Sequence, residues 1–290
     1  VNILLTGATG FIGNHLRTEF ADKHHLFALT RHDDFTDNEN LTWIKADLRQ
    51  PATRLVVPGR VDAVVCLAQS KAYREFPAQA WDLFNVNISS VLTLLEYARQ
   101  NEVKMFIFAS SANVYKPQQE KISERSSPIP TSFYARSKRM AEMLIESYAD
   151  YFRCLSLRLF TVYGPGQTGM LIPSLIERVR TEEPIQVQGK SGLKLTPIYI
   201  TDVCRVIQTT LEMEESAPGF EVFNVGGDEQ LGIRQIGLNI GEALQKQPRF
   251  EMVEGDEPGG WMADNDKLKT RFHIDKLVPF AEGIRRTIYE

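Results

Sequence analysis

Two side chains with acid–base potential stand four residues apart in "FYARSKRMAEMLIESYAD" (133–150), Tyr134 and Lys138. The stretch has a helical pattern, so the phenol and the ammonium share one face. A free tyrosine ionises near ~10, too high for a base at neutral pH, but a neighbouring ammonium can lower such a group by roughly 1–3 units. The pair then reads as a donor and acceptor of one proton, with Lys138 also free to hold the hydroxyls of a ribose. Standing alone, a tyrosine and a lysine at this spacing are commonplace on an exposed helix.

A second constellation opens the chain. "LLTGATGFIG" (4–13) places Gly7, Gly10 and Gly13 directly behind an apolar run. Gly7 can take a tight turn, Gly10 can let a pyrophosphate approach bare backbone, and Gly13 lets the following helix pack on the strand. Free N–H groups at the helix start then face the anion. The same three glycines could also serve only as a structural turn. The spacing is GxxGxxG, and its context between a strand and a helix is what makes it informative.

These residues need a scaffold that sets them at one end of a sheet, and the rest of the sequence supplies it. Apolar runs at 1–7, 25–30, 41–47, 61–68, 104–111 and 154–160 read as strands buried on both faces, alternating with helical stretches at 86–100 and 133–150. This alternation predicts an α/β fold, a doubly wound parallel Rossmann sheet with a smaller C-terminal substrate lobe. Beyond the Gly- and Pro-rich "VYGPGQTG" (162–169) the pattern turns irregular. A helix is expected at 171–182, a strand at 185–188, a strand and helix over 197–212, "EVFNVGG" (221–227), a helix near 233–245 and a loop-rich tail. The boundaries drawn are 1–163 for the Rossmann domain, with 194–227 crossing back to it, and 164–193 plus 228–290 for the substrate lobe. "EMVEGDE" (251–257) reads as a solvated acidic loop.

At 290 residues, 43% apolar and 24% charged, the chain can bury a real core, and its net charge of −4 offers no basic field for nucleic acid or an anionic membrane. No apolar run approaches the ~20 residues needed to span a bilayer, and with strand-like sequence at the opening residues no secretory leader is expected. The expected location is the cytoplasm. Cys66, Cys154 and Cys204 are far apart among apolar neighbours and are expected to be buried free thiols. His24 and His25 are adjacent and His32 lies in a polar loop, so no metal is expected.

With "YARSK" (134–138) behind the glycine turn, the chain resembles the extended short-chain dehydrogenase/reductase family, nearest to its NAD(P)-dependent sugar-nucleotide epimerases, dehydratases and ketoreductases. The likeness runs nearly end to end, through "TGATGFIG" (6–13), "ADL" (46–48), "CLA" (66–68), "NVNISSVLTLLEYAR" (85–99), "FASSANVY" (108–115), "LRLFTVYGPGQ" (157–167), "PIYITDV" (197–203) and "FNVGG" (223–227). It implies a catalytic set of Ser111, Tyr134 and Lys138, with Ser111 holding the substrate oxygen while Tyr134 moves its proton. It implies cofactor contacts from Gly7, Thr9, Gly10, Phe11, Ile12 and Gly13, and from Thr30 and Arg31. Further contacts are implied for Asp47 and Leu48 beside the adenine, Leu67, Ala68 and Gln69 near the nicotinamide ribose, and Asn87, Ala109, Tyr134, Lys138 and Phe160. By the same analogy, helices 86–100 and 133–150 pair across a two-fold to form a homodimer.

The chain departs from the family pattern in four respects. Strand "ALTRH" ends in Thr30 and Arg31 where an acidic residue would select NAD; an arginine can pair with a 2′-phosphate, so NADP(H) is favoured, with NAD(H) possible through Asp33 or Asp34. Arginines that grip a nucleotide diphosphate are missing before "IYITD" and in "GDEPGGWMAD". Lys194 or Arg249 substitutes, or the substrate's leaving half is unusual; Trp261 could stack on a base or simply pack. In "RLFT" (158–161) Thr161 replaces the asparagine common in the family's R-x-F-N pattern. Finally, Ala112 and Asn113 follow Ser111 where the family's 4,6-dehydratases carry an Asp-Glu pair.

The leading expectation is an oxidoreductase acting on a secondary alcohol or ketone, C4 of a nucleotide-activated sugar, with a 4-ketoreductase favoured. The alternatives are a nucleotide-sugar 4-epimerase that retains its cofactor, a reductase of a non-sugar ketone, and a non-catalytic dinucleotide-binding regulator.

Overall fold

The computed structural model describes residues 1–50, 55–213 and 217–290. Residues 51–54, inside the expected 1–163 domain, and 214–216, inside the 194–227 return, lie outside the described residues. By contact density the chain forms two compact units: one made of 1–114, 128–158 and 204–223, the other of 115–127, 159–203 and 224–290. The expected division differs from this at 115–127, 159–163, 194–203 and 224–227, which all pack with the second unit.

The first unit is built on a seven-stranded sheet. Six of its strands are β1 (Asn2–Thr6), β2 (His25–Thr30), β3 (Leu41–Lys45), β4 (Ala63–Cys66), β5 (Met105–Ser111) and β6 (Arg153–Leu159). The strand Gly219–Val225 adds to the β6 edge, and the order is Gly219–Val225, β6, β5, β4, β1, β2, β3. β1 pairs in parallel with both β2 and β4, so the winding reverses there. In open α/β sheets the reversal opens a crevice at the strand C-termini where ligands bind. The apolar runs form strands because they are wetted on neither face: Ile3, Leu4, Val64, Val65, Phe106 and Ile107 are all fully buried.

Helix α1 (Phe11–Phe20) follows β1, buries Leu16 and Phe20, and begins at Gly10. The helix expected from 86 starts earlier. It runs through α2 (Ala80–Phe84) and a wide π-helical turn (Asn85–Ser89) into α3 (Ser90–Gln100). The polar run Asn85, Asn87, Ser89, Ser90 hides this start from an apolar pattern, yet Asn87 and Ser90 are buried. Helix α4 (Phe133–Glu146) is capped by Ser132, whose hydroxyl accepts from Ala135 N at 3.1 Å.

In the second unit, helices Leu171–Arg180 and Ile233–Leu244 and strand Ile185–Gln188 stand where the sequence predicts. The tail is less loop-like than expected. It holds helices Asp266–Phe272 and Phe280–Tyr289 and strands Phe250–Val253 and Gly260–Trp261. The acidic run is corrected as well. Its first residues, in Phe250–Val253, pair in parallel with Ile185–Gln188, and Glu257 accepts from the backbone N–H groups of Lys190 and Ser191 at 2.8 and 3.1 Å. Glu251, Met252 and Val253 are all exposed, so the strand shows no alternation to read. Among the described residues no helix is long and apolar enough to cross a membrane, and none of their His, Cys, Asp and Glu side chains cluster as metal ligands.

Candidate active site

The C-terminal edge of the first unit's sheet collects the glycines. Gly7 ends β1 at φ +70°, the left-handed region that favours glycine. A Cβ there would lie 2.9 Å from Ala68 N, and one on Gly13 would lie 2.2 Å from the Gly7 carbonyl oxygen, so side chains are excluded at both. Gly10 differs. Its N–H donates to Gly7 O at 2.9 Å, and the nearest atom to a Cβ there is that same oxygen at 3.2 Å. No side chain caps α1, which leaves the first-turn N–H groups of Phe11, Ile12 and Gly13 without helical acceptors. Thr9 is exposed, and Phe11 and Ile12 are half-buried. This bare, donor-rich turn fits the pyrophosphate of a dinucleotide.

The neighbouring strand ends place the other expected cofactor residues. Thr30 is buried, its hydroxyl accepting from His32 N at 3.1 Å, while Arg31 is exposed. Asp33 pairs with Lys45 at 2.6 Å. Asp47 takes Arg49 Nη2 at 2.6 Å; that pairing, then its backbone bond and the charge of Arg31 as the smallest contribution, holds the carboxyl below its ordinary range. Leu48 packs at the edge of the core. Leu67 and Ala68 follow β4, with Ala68 N donating to Thr6 Oγ1 at 3.1 Å.

Asn87 in the π-helical turn is almost wholly buried. Its Oδ1 accepts from Ser70 N at 2.8 Å and its Nδ2 donates to Ser137 Oγ at 2.9 Å, tying the loop after β4 to α4. Both amide atoms are thus engaged within the protein.

Tyr134 and Lys138 share a face of α4 as predicted, but their electrostatics differ from the prediction. Lys138 is 2% exposed and donates to the Ala109 carbonyl at 2.7 Å. Burial pushes its ammonium down to about 8, against opposing charges from Cys66 and Glu142. Tyr134 donates to Gln69 Oε1 at 3.0 Å. Burial pushes the phenol up to about 12, and a hydrogen bond to Ser111 only partly offsets this. The expected lowering by Lys138 is therefore overturned for the protein without a bound dinucleotide. The ammonium lies 5.9 Å from the Tyr134 ring centre and is spent on a carbonyl, so desolvation wins. The cysteines are buried free thiols, with Cys154 and Cys204 pushed up to about 12 by burial.

Phe160, Thr161, Lys194, Arg249 and Trp261 all belong to the second unit. Phe160 is fully buried beside Tyr115, a core position for its ring. Thr161 adopts φ +22°, and its carbonyl accepts from Ile198 N at 3.1 Å. Trp261 Nε1 donates to Tyr115 O at 3.1 Å, which anchors the indole. Arg249 is exposed and Lys194 half-buried. Sequence reasoning missed the buried Glu142–Arg158 pair behind α4, 2.7 Å apart. Its signal was a glutamate four residues after Lys138, facing an arginine within an apolar strand.

The likenesses to known proteins run the same way. A UDP-glucuronate 4-epimerase of Thermodesulfobacterium geofontis is 27% identical over 310 residues, covering 98% of this chain and 94% of that protein. The structure of MoeE5 in complex with UDP-glucuronic acid and NAD matches with a TM-score of 0.85 at 26% identity, covering 99% of this chain and 98% of that one. The UDP-glucuronic acid 4-epimerase from Bacillus cereus, in complex with UDP-glucuronic acid and NAD, matches at 0.84 and 25%, over 99% and 98%. The family model described as NAD dependent epimerase/dehydratase matches residues 3–226, from β1 and the glycine turn past Tyr134 and Lys138 of α4, and the chain belongs to that family as an enzyme of the extended short-chain dehydrogenase/reductase type.

Proposed function

We propose that the protein is a nucleotide-sugar 4-epimerase that keeps its NAD, with UDP-glucuronic acid the first substrate to test. The observation that carries this is the grouping of Ser111, Tyr134 and Lys138 at the sheet edge that also holds the glycine turn. Bound NAD supplies the hydride acceptor and donor. With the positive nicotinamide ring in place, which would favour the phenolate over the phenol of the cofactor-free protein, Tyr134 would take the proton from the C4 hydroxyl and return it to the same oxygen once the sugar presents its other face. Ser111 holds that oxygen, and Lys138, fixed at Ala109, offers its remaining N–H donors to ribose hydroxyls.

The 4-ketoreductase expectation leaned on Arg31 and NADP. Arg31 is an exposed side chain near the Asp47 carboxylate, and the matched structures carry NAD, so the epimerase with NAD is the better supported reading. The non-catalytic alternative fails against the family assignment and the intact Tyr134–Lys138 pair. The proposal includes recognition of the nucleotide half by the second unit, and a homodimer through α3 and α4, whose Leu92, Met140 and Met143 are exposed. The test is purified protein with UDP-glucuronic acid and, separately, UDP-glucose, without added cofactor, followed by proton NMR of the sugar. C4 epimer formed to equilibrium with no net cofactor consumed is the expected result; turnover only with stoichiometric NADPH would restore the ketoreductase.

A further inference from the structure

Three successive residues of β5 hold three residues of α4 that are spaced one turn apart. Ser111 acts on the Tyr134 hydroxyl and opposes the rise of its pKa, Ala109 O accepts from Lys138 Nζ at 2.7 Å, and Ser110 Oγ donates to Glu142 Oε1 at 2.7 Å. Glu142 is wholly buried. Arg158 of β6 meets it through Nε at 2.8 Å and Nη2 at 2.7 Å, and Ser156 Oγ donates at 3.1 Å. Arg139 Nη1 reaches its second oxygen at 3.2 Å. Removing a carboxylate and a guanidinium from water is costly, and apolar residues of similar volume often hold a fold equally well. Apart from the contact with Arg139 on its own helix, the bonds to this carboxylate come from β5 and β6, the two strands beside the helix that carries Tyr134 and Lys138.

We propose that Glu142 is a positioning residue for proton transfer: through Ser110 it fixes the end of β5 that carries Ser111, and its charge, one helical turn from Lys138 on the same face, keeps that side chain an ammonium. The inference rests on the reading of Tyr134 and Lys138 as the proton-transfer pair. The groups facing Lys138 are Tyr134 and Glu142 on α4, the Cys66 thiol on β4, and the Ala109 carbonyl and Phe108 ring on β5. The cations facing Glu142 are Arg158 and Arg139. Desolvation already draws Lys138 down to about 8, with Cys66 and Glu142 opposing it. Cys66 carries charge only at high pH, its thiol being pushed up by burial, so Glu142 is the opposing charge at neutral pH.

The test compares wild type with Glu142→Gln and with the paired variant Glu142→Leu/Arg158→Leu, which removes both charges and keeps the volume apolar. Lys138 is titrated in protein without NAD by the ¹³Cε shift of labelled lysine, assigned by its loss in Lys138→Met. Its midpoint is expected to fall by about 1 unit in both variants. With a sugar nucleotide that turns over, kcat is expected to fall about ten-fold or more at unchanged KM, the mark of an interaction needed in the transition state. A paired variant with wild-type titration and wild-type kcat would overturn the proposal. So would a paired variant that does not fold, since the pair would then be a folding element. A shifted titration in protein that turns over no nucleotide sugar supports this inference while removing the proposed substrate.

Discussion

Lys138 Nζ lies 2.7 Å from the Ala109 carbonyl oxygen, inside a region where the side chain is 2% exposed. A buried ammonium with one neutral acceptor is held at a cost in stability, which sets a pH-dependent signature. The native ammonium loses its proton near 8, whereas the unfolded chain keeps it to about 10.5. Between these values the unfolded state binds more protons, so stability from this group grows as pH rises from 8 toward 10.5 and is lost as pH falls through 8. The full swing is on the order of 3 kcal/mol. Urea denaturation of wild type and Lys138→Met from pH 7 to 10 is expected to show wild type gaining on the variant across that window. Parallel pH profiles would show the ammonium is not desolvated.

Tyr134→Phe is expected to lower kcat by ~10²–10⁴-fold, the usual worth of a positioned general acid–base. NAD binding is expected to stay intact, because the hydroxyl's partners are Gln69 and Ser111 and the glycine turn is separate. Lys138→Met is expected to weaken both. Turnover assays beside calorimetric NAD titrations separate the two variants, and full activity in Tyr134→Phe would remove the mechanism.

The glycines are expected to divide by role. Gly13→Ala forces a methyl to 2.2 Å from Gly7 O and 2.7 Å from Ala8 Cα, both backbone, so a loss of several degrees in Tm is expected. Gly10→Ala meets only Gly7 O at 3.2 Å, so the fold is expected to persist while NAD affinity drops, the methyl standing where the pyrophosphate approaches. Thermal melts with and without NAD give both readings. Equal Tm losses for the two variants would make the whole motif a structural turn.

Arg31→Ala is expected to leave NAD affinity unchanged, since the side chain is exposed and lies beyond the glycine turn. A charge-assisted bond to a 2′-phosphate is worth about 1.5–3 kcal/mol, so any NADP binding in wild type is expected to weaken about ten-fold or more in the variant. Calorimetry with both cofactors decides it. Wild type binding NADP more tightly than NAD would reinstate the preference read from the Thr30–Arg31 pair.

The sheet was legible because its strands are buried on both faces, leaving continuous apolar runs such as those of β4 and β5. Gly7, Gly10, Gly13, Tyr134 and Lys138 were legible because fixed short spacings bring them together within one turn or one helix. What escaped depends on contacts far apart in sequence. The pKa of Tyr134 is set by burial, with Ser111 opposing and Tyr73 adding to the rise, and spacing alone reports only the lysine. Glu142 finds Ser110 and Arg158 across two strands, and Asn87 finds Ser137 50 residues on. The helix Phe280–Tyr289 was missed although Pro279 marks its start, because only Phe280, Gly283 and Ile284 of it are buried.

The residues after Ser111 exclude a second reaction. Eliminating water across C5 and C6 of a 4-keto sugar needs one group to take the C5 proton and another to protonate the leaving C6 hydroxyl. Ala112 is buried and can do neither. Asn113 is exposed, and an amide does not titrate. Of the acids a few residues further on, Glu120 is exposed and Glu124 already accepts from Asn224 N at 2.7 Å, and both belong to the second unit. The expected outcome is reversible oxidation and reduction at one carbon, with no 4-keto-6-deoxy product. Incubation with dTDP-, GDP-, CDP- and UDP-hexoses in heavy water, followed by mass spectrometry, reads this directly. Loss of water with deuterium gained in the product would mean that some other side chain supplies the missing acid, and the assignment of chemistry to Ser111, Tyr134 and Lys138 alone would fall.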